Sequence, residues 1–154
     1  MSQSARAVLE NAVERALYKR GYVLVGDSLL RKQRLEQLLN STNRPKRYSK
    51  QVEVGTGIYG TDLHVDFYII GSPLYNKGLI IECKSQQRSG SVDEKLPYLN
   101  LNIQLYPAPA IVLIDGTGIK QGAIDWLNEQ VKTNQNLLAV HNLSSFFTWA
   151  NNNL

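Results

Sequence analysis

The sequence predicts an α/β fold, a mixed β-sheet flanked by helices, and three observations carry that prediction. Segments with a helical repeat of apolar residues alternate with short runs rich in Ile, Val, Leu and Tyr. Ala110-Ile111-Val112-Leu113-Ile114 is apolar at every position, as a strand buried on both faces is. Glycine- and proline-bearing stretches separate the segments. The 154 residues fall within the span of about 100 to 200 expected of one domain, so 1–154 reads as a single domain without repeat or linker.

The chain opens with an amphipathic helix from about Ser4, in which Leu9, Val13, Ala16 and Leu17 recur at helical spacing and Gly21 supplies the stop. Tyr22 to Val25 is a short strand. Leu29 to Asn40 is a helix with Leu30, Leu35, Leu38 and Leu39 as its apolar positions. The polar run STNRPKRYS, Ser41 to Ser49, reads as an exposed loop around Pro45. Gln51 to Val54 is a strand, GTGIYG turns the chain, and His64 to Ile70 and Leu79 to Lys84 are strands joined by GSPLYNKG. Beyond the polar SQQRSGS, Asp93 to Gln104 is a helix with Pro97 near its start, entered through a capping box of Ser91 and Glu94. The strand Ala110 to Ile114 ends in DGTG. A helix from about Lys120 to Thr133, a strand from Leu137 to Val140 and a helix from Leu143 to about Asn151 complete the order, with Trp126, Phe146, Phe147 and Trp149 as packing residues.

Composition excludes several classes. With 43% hydrophobic and 19% charged residues the chain is neither disordered nor fibrous. No apolar run approaches the ~20 residues of a membrane span, and the opening MSQSARAV lacks a secretory apolar region, so no membrane partner and a cytoplasmic location are expected. The lone Cys83 can form neither an internal disulfide nor a multi-cysteine zinc site and reads as a buried thiol, which suits a reducing compartment. Gly116-Thr117-Gly118 lacks the lysine of a phosphate-binding loop, so no nucleotide cofactor is expected. Seventeen Lys and Arg against 13 Asp and Glu give a net charge of +4, which permits a polyanionic partner. Most of that excess lies between Arg31 and Lys50, in what reads as a basic insertion of about 29–50.

The chemical anomaly is that two otherwise apolar strands carry ionisable side chains. Asp66 interrupts Val65 and Phe67, and Glu82 and Lys84 follow Leu79-Ile80-Ile81. Strand side chains alternate, so Glu82 and Lys84 share a face and Cys83 looks to the other layer. In an antiparallel pair Asp66 comes opposite the Glu82 region. The bland reading is an ion pair at a sheet edge. The functional one is a metal site, since two carboxylates, with the Cys83 backbone carbonyl as a third oxygen, suit hard Mg²⁺, for which Mn²⁺ can substitute. Such an ion activates water and stabilises charge on a phosphoryl oxygen, and Lys84 is placed to orient that water. Gln86 follows Lys84 by one strand repeat and would share its face, where its amide could meet a phosphate oxygen or a water at the metal. Gln87 turns away unless the strand has ended, in which case it joins the nucleic-acid contacts. His64, two residues before Asp66, reads as structural, and His141 has no constellation around it.

The stretch VDFYIIGSPLYNKGLIIECK resembles the PD-(D/E)XK nuclease superfamily, with Asp66 as the first acidic residue and Glu82-Cys83-Lys84 as the (D/E)XK element. The extension ECKSQQRSGSVDEKLPYLNLNI, the later YPAPAIVLIDGTG and the tail from GAIDWLNEQ to FFTWANN look like small stand-alone members from bacteria and phages, so the resemblance covers nearly the whole chain. One departure is Val65 in place of the proline that precedes the first acidic residue; that proline takes no part in the chemistry. The resemblance implies a restriction-endonuclease-like core, Mg²⁺ held on Asp66 and Glu82, Lys84 at the attacking water and Glu10 of the first helix completing the metal site.

Phosphate contacts are expected from Arg31, Lys32, Arg34, Arg44, Lys46, Arg47 and Lys50, and from Lys95 and Tyr98 at the start of the later helix. The expected function is therefore a Mg²⁺-dependent DNA endonuclease, site-specific on duplex DNA in the manner of homing or restriction enzymes. A structure-specific nuclease of the Holliday junction resolvase kind, a non-catalytic nucleic-acid-binding module and action on RNA are the alternatives. One site per chain predicts a homodimer or higher homo-oligomer for cutting both strands.

Overall fold

The computed structural model describes residues 4–86, 91–116 and 118–154. Its elements follow the expected order: α1 (Ala5–Lys19), β1 (Val23–Leu24), α2 (Arg31–Asn40), β2 (Arg47–Thr56), β3 (Asp62–Ile70), β4 (Leu79–Ser85), α3 (Val92–Ile103), β5 (Ala110–Asp115), α4 (Gln121–Gln130), β6 (Leu137–His141) and α5 (Leu143–Asn153). The chain is an α/β protein whose mixed six-stranded sheet runs in sequence order, β1 to β6. β2–β3 and β3–β4 are antiparallel hairpins, whereas β1–β2, β4–β5 and β5–β6 are parallel. The parallel pairs need crossovers, which α2, α3 and α4 provide.

Helices cover both faces. Leu9, Val13, Ala16 and Leu17 of α1 and Phe146 and Ala150 of α5 pack with Phe67, Ile69, Ile81, Cys83, Ile111 and Leu113. On the other face Leu38 of α2, Leu96, Leu99 and Ile103 of α3 and Leu127 of α4 pack with Val52, Val65, Ile80, Val112 and Ile114. Central β5 is buried from Ala110 to Ile114, as its unbroken apolar run requires. Local signals set the ends of the elements. Ser4 accepts from the Ala7 N–H at 3.1 Å, Asn142 caps α5 through the Ser145 N–H at 2.8 Å, and α1 ends at Gly21, whose φ of 85° admits few other residues.

Two local expectations are corrected. Arg47 to Ser49 are strand rather than loop: β2 begins at Arg47 because it lies between β1 and β3, so backbone on both sides is paired from Val23↔Arg47 and Arg47↔Ile70 onward. The segment is polar because its side chains take up carbonyls, as Ser49 does with Val25 at 2.6 Å. The Ser91–Glu94 capping box does not form. Ser91 precedes α3 in helical conformation without a side-chain bond, and the Val92 N–H is satisfied by Gln86 Oε1 at 2.7 Å. Among the described residues no helix is long and apolar enough to cross a membrane.

Candidate active site

The site forms where the central hairpin comes apart. β3 and β4 pair from Ile69↔Leu79 to Phe67↔Ile81, and there the backbone ladder stops. One step further, side chains replace it: Asp66 Oδ2 accepts from the Cys83 N–H at 2.8 Å and Glu82 Oε1 from the Asp66 N–H at 3.2 Å. Two buried carboxylates thus satisfy the amides of the opened ladder and end up side by side.

β2 and β3 change faces at the same level. Tyr48 and its partner Ile69, with Phe67 of the next pair in phase, lie in the α1–α5 core, but the pair after that, Val52 and Val65, lies in the opposite core. Between them stand Gln51 and Asp66. Gln51 takes a positive φ of 50°, a conformation that costs on the order of 1–3 kcal/mol. Its amide donates to Asp66 Oδ1 at 3.0 Å. The two-residue repeat that would carry His64 onto the face of Asp66 is interrupted here, and His64 lies instead 3.9 Å from Glu53.

Asp66 is 5% and Glu82 3% exposed. Burial foremost, then the charge of Asp66, pushes the Glu82 carboxyl up to about 8, with Lys84, the Asp66 amide and Arg6 pulling the other way. Lys84 reaches to 3.8 Å of Glu82 Oε2 from the rim, its side chain 32% exposed. Beneath lies Tyr106, whose hydroxyl is held above its ordinary range by burial foremost and by the charges of Glu82 and Asp66. Cys83 faces α1 and is buried; burial pushes its thiol upward as well, which makes it a core residue and no nucleophile. From α1, Arg6 donates to Asp66 Oδ1 at 2.6 Å and to Glu10 Oε1 at 3.3 Å, so Glu10 joins the cluster through Arg6.

Comparison with known proteins bears on this constellation directly, because the profile of the PD-(D/E)XK nuclease superfamily domain matches residues 1–154. The chain belongs to the PD-(D/E)XK nuclease superfamily. No curated protein and no solved structure matches it. The sheet and its flanking helices agree with that core.

PD-(D/E)XK nucleases are metal-dependent phosphodiesterases, and the residues here fit a hard divalent cation. Both carboxylates are buried, and burial with the charge of Asp66 pushes the Glu82 carboxyl above the usual carboxylate range, a cost that a divalent cation would offset. The donors are all oxygen. Among the described residues no three His, Cys, Asp or Glu side chains gather as a cage. This suits Mg²⁺, which binds through one or two carboxylates and keeps several waters.

Other residues expected at the PD-(D/E)XK site are placed elsewhere or otherwise engaged. Gln86 lies past the end of β4, and its amide joins the Gly118 carbonyl at 3.0 Å to the first amide of α3. A Cβ on Gly116, φ 122°, would come within 2.5 Å of the Gln86 carbonyl oxygen, so a glycine is needed there. Gln86 is thereby a tie between two loops, its donor and acceptor both used. Gln87 lies outside the described residues. Lys95 is exposed on α3, and Tyr98 stacks on Tyr59 with ring centroids 5.2 Å apart.

The basic segment divides in two. Arg31, Lys32 and Arg44 are exposed. Arg34 donates to the carbonyls of Leu29, Lys50 and Asp27, Lys46 to that of Arg20, and Lys50 pairs with Glu14 at 2.7 Å. Arg47 is 6% exposed and donates to the carbonyls of Leu38, Leu39 and Arg44, closing the C-terminus of α2. Its donors are taken, so it holds α2 on the sheet and offers phosphate nothing. Arg47→Met is expected to destabilise the protein by about 1–3 kcal/mol by stranding these buried acceptors. Arg44→Ala should change stability by less than about 0.5 kcal/mol but weaken nucleic-acid binding, and paired melting and binding curves separate the two effects.

Sequence reasoning missed Arg6, Gln51 and Tyr106. A signal existed for the first, because Arg6 stands four residues before Glu10, the spacing that pairs charges on a helix. Nothing in the sequence marks Gln51 or Tyr106.

Proposed function

We propose that the protein is a Mg²⁺-dependent endonuclease that hydrolyses phosphodiester bonds of duplex DNA at specific sites, in the manner of restriction or homing enzymes. The observation that carries this reading is the pair of buried carboxylates, Asp66 and Glu82, at the opened end of the β3–β4 ladder with Lys84 at its rim. Asp66 and Glu82 would hold the cation, with the Cys83 carbonyl as a further oxygen donor and Glu10, tied to Arg6, as a donor only once that guanidinium moves away. The cation supplies activation of water and neutralisation of charge on the phosphoryl oxygens. Lys84 orients the attacking water and offsets charge as the phosphorus gains its fifth oxygen. Gln51 fixes the Asp66 carboxylate against the strand. Arg31, Lys32 and Arg44 are exposed for backbone contacts, and a homodimer would supply one site per strand. The single buried cysteine suits the cytoplasm.

The test is incubation of purified protein with supercoiled plasmid, branched duplexes and RNA in Mg²⁺ or Mn²⁺, with Ca²⁺ as the inert cation. Metal-dependent cutting of linear duplex at discrete sites is the expected result. Preference for branched duplexes would move the assignment to a junction-resolving enzyme, and salt-sensitive binding without any cleavage would leave a binding module.

A further inference from the structure

We propose that Arg6 is a built-in cation held by Asp66 and Glu10, two of the residues that would serve the metal, so that metal loading is an exchange in which the guanidinium is displaced. The inference rests on the metal-site reading above. Arg6 bridges carboxylates from two elements, at 2.6 Å to Asp66 Oδ1 and 3.3 Å to Glu10 Oε1. Without a positive charge between them, the two carboxylates would repel each other beside a third, Glu82.

The bonding of Asp66 makes Arg6 the group that must yield. Oδ2 is held by the Cys83 backbone amide, and Oδ1 is shared by Gln51 and Arg6. The amide of Cys83 belongs to the sheet, and Gln51 is neutral, so neither opposes an incoming cation by charge. Arg6 does: a divalent ion and a guanidinium a few ångströms apart repel strongly in a partly buried site. Leaving is also open to it. Arg6 lies in the first turn of α1, its side chain is 52% exposed, and the apolar contacts of α1 are made by Leu9, Val13, Ala16 and Leu17. The guanidinium can therefore swing into solvent while the helix stays docked.

The exchange predicts that removing Arg6 tightens metal binding, whereas a residue that only props up the site would loosen it when lost. Mn²⁺ binding is measured by titration calorimetry on the full chain, for wild type, Arg6→Gln, Arg6→Lys and Asp66→Asn at one ionic strength. Arg6→Gln is expected to bind Mn²⁺ at least about tenfold more tightly than wild type, and Arg6→Lys, which keeps a competing charge, to fall between them. In wild type the Arg6 Nε–H signal, followed by nitrogen NMR, should shift as Ca²⁺ is added. Equal or weaker Mn²⁺ affinity in Arg6→Gln, or an Arg6 signal unmoved at saturating Ca²⁺, overturns the exchange while leaving the metal site standing. Undiminished binding in Asp66→Asn, or none in wild type, overturns the metal site and the exchange with it.

Discussion

Lys84→Ala is expected to slow phosphodiester cleavage by roughly 10²- to 10⁴-fold, the range for loss of a group that positions a proton or stabilises developing charge, while Mn²⁺ binding is retained. The split follows from geometry. Lys84 stands 3.8 Å from Glu82 Oε2 at the rim and makes no hydrogen bond to Asp66, so the carboxylates keep their arrangement when the ammonium goes. Asp66→Asn behaves differently. Its carboxylate accepts from Arg6, Gln51 and the Cys83 amide, and an amide in its place would turn a donor toward one of these. Both metal binding and cleavage should be lost, with some loss of stability. Lys84→Arg keeps the charge but spreads it over a planar fork, so partial activity is expected. Single-turnover cleavage and calorimetric Mn²⁺ titration of the same preparations check all three. Full activity in Lys84→Ala would remove Lys84 from the reaction and reassign the water to another group.

Much of this arrangement is legible in the sequence, and what is hidden has physical reasons. The β3–β4 hairpin, the buried β5 and the opposite orientations of Cys83 and Glu82 follow from the two-residue repeat, which holds through β4. The repeat fails at Asp66 because a face change is a property of two paired strands, and Gln51, whose amide bonds to Asp66, looks like any polar strand residue until its φ is known. Arg47 reads as a phosphate-binding residue because composition cannot distinguish a solvated guanidinium from one that closes a helix end; only the carbonyls of Leu38 and Leu39 reveal it. Gln86 fails by one residue of strand length. β4 ends at Ser85, so the repeat that would place Gln86 beside Lys84 no longer applies. Catalytic types in a strand survive such errors because their cost of burial marks them, while supporting residues such as Tyr106 carry no mark at all.

Glu82→Gln is expected to abolish function and at the same time stabilise the metal-free protein above neutral pH. Glu82 ionises near its ordinary value of 4.5 in the unfolded chain, whereas in the fold burial and Asp66 push it up to about 8. Between these values the folded state holds a proton that the unfolded state has released. Stability fully present below about 4.5 is therefore lost progressively as pH rises to about 8. At roughly 1.4 kcal/mol per pH unit the loss is on the order of a few kcal/mol. Glutamine has the shape of the protonated acid and keeps an acceptor for the Asp66 amide, so the variant should lack this slope. The difference between wild type and variant, taken from denaturant melts with a chelator, should be small near pH 4.5 and should favour the variant near pH 8. Mg²⁺ reverses the order, because it stabilises only a folded state that can bind it. Parallel pH profiles would show that Glu82 is not the group whose ionisation opposes folding. A crossing on addition of Mg²⁺ would tie the destabilising charge and the cation to the same side chain.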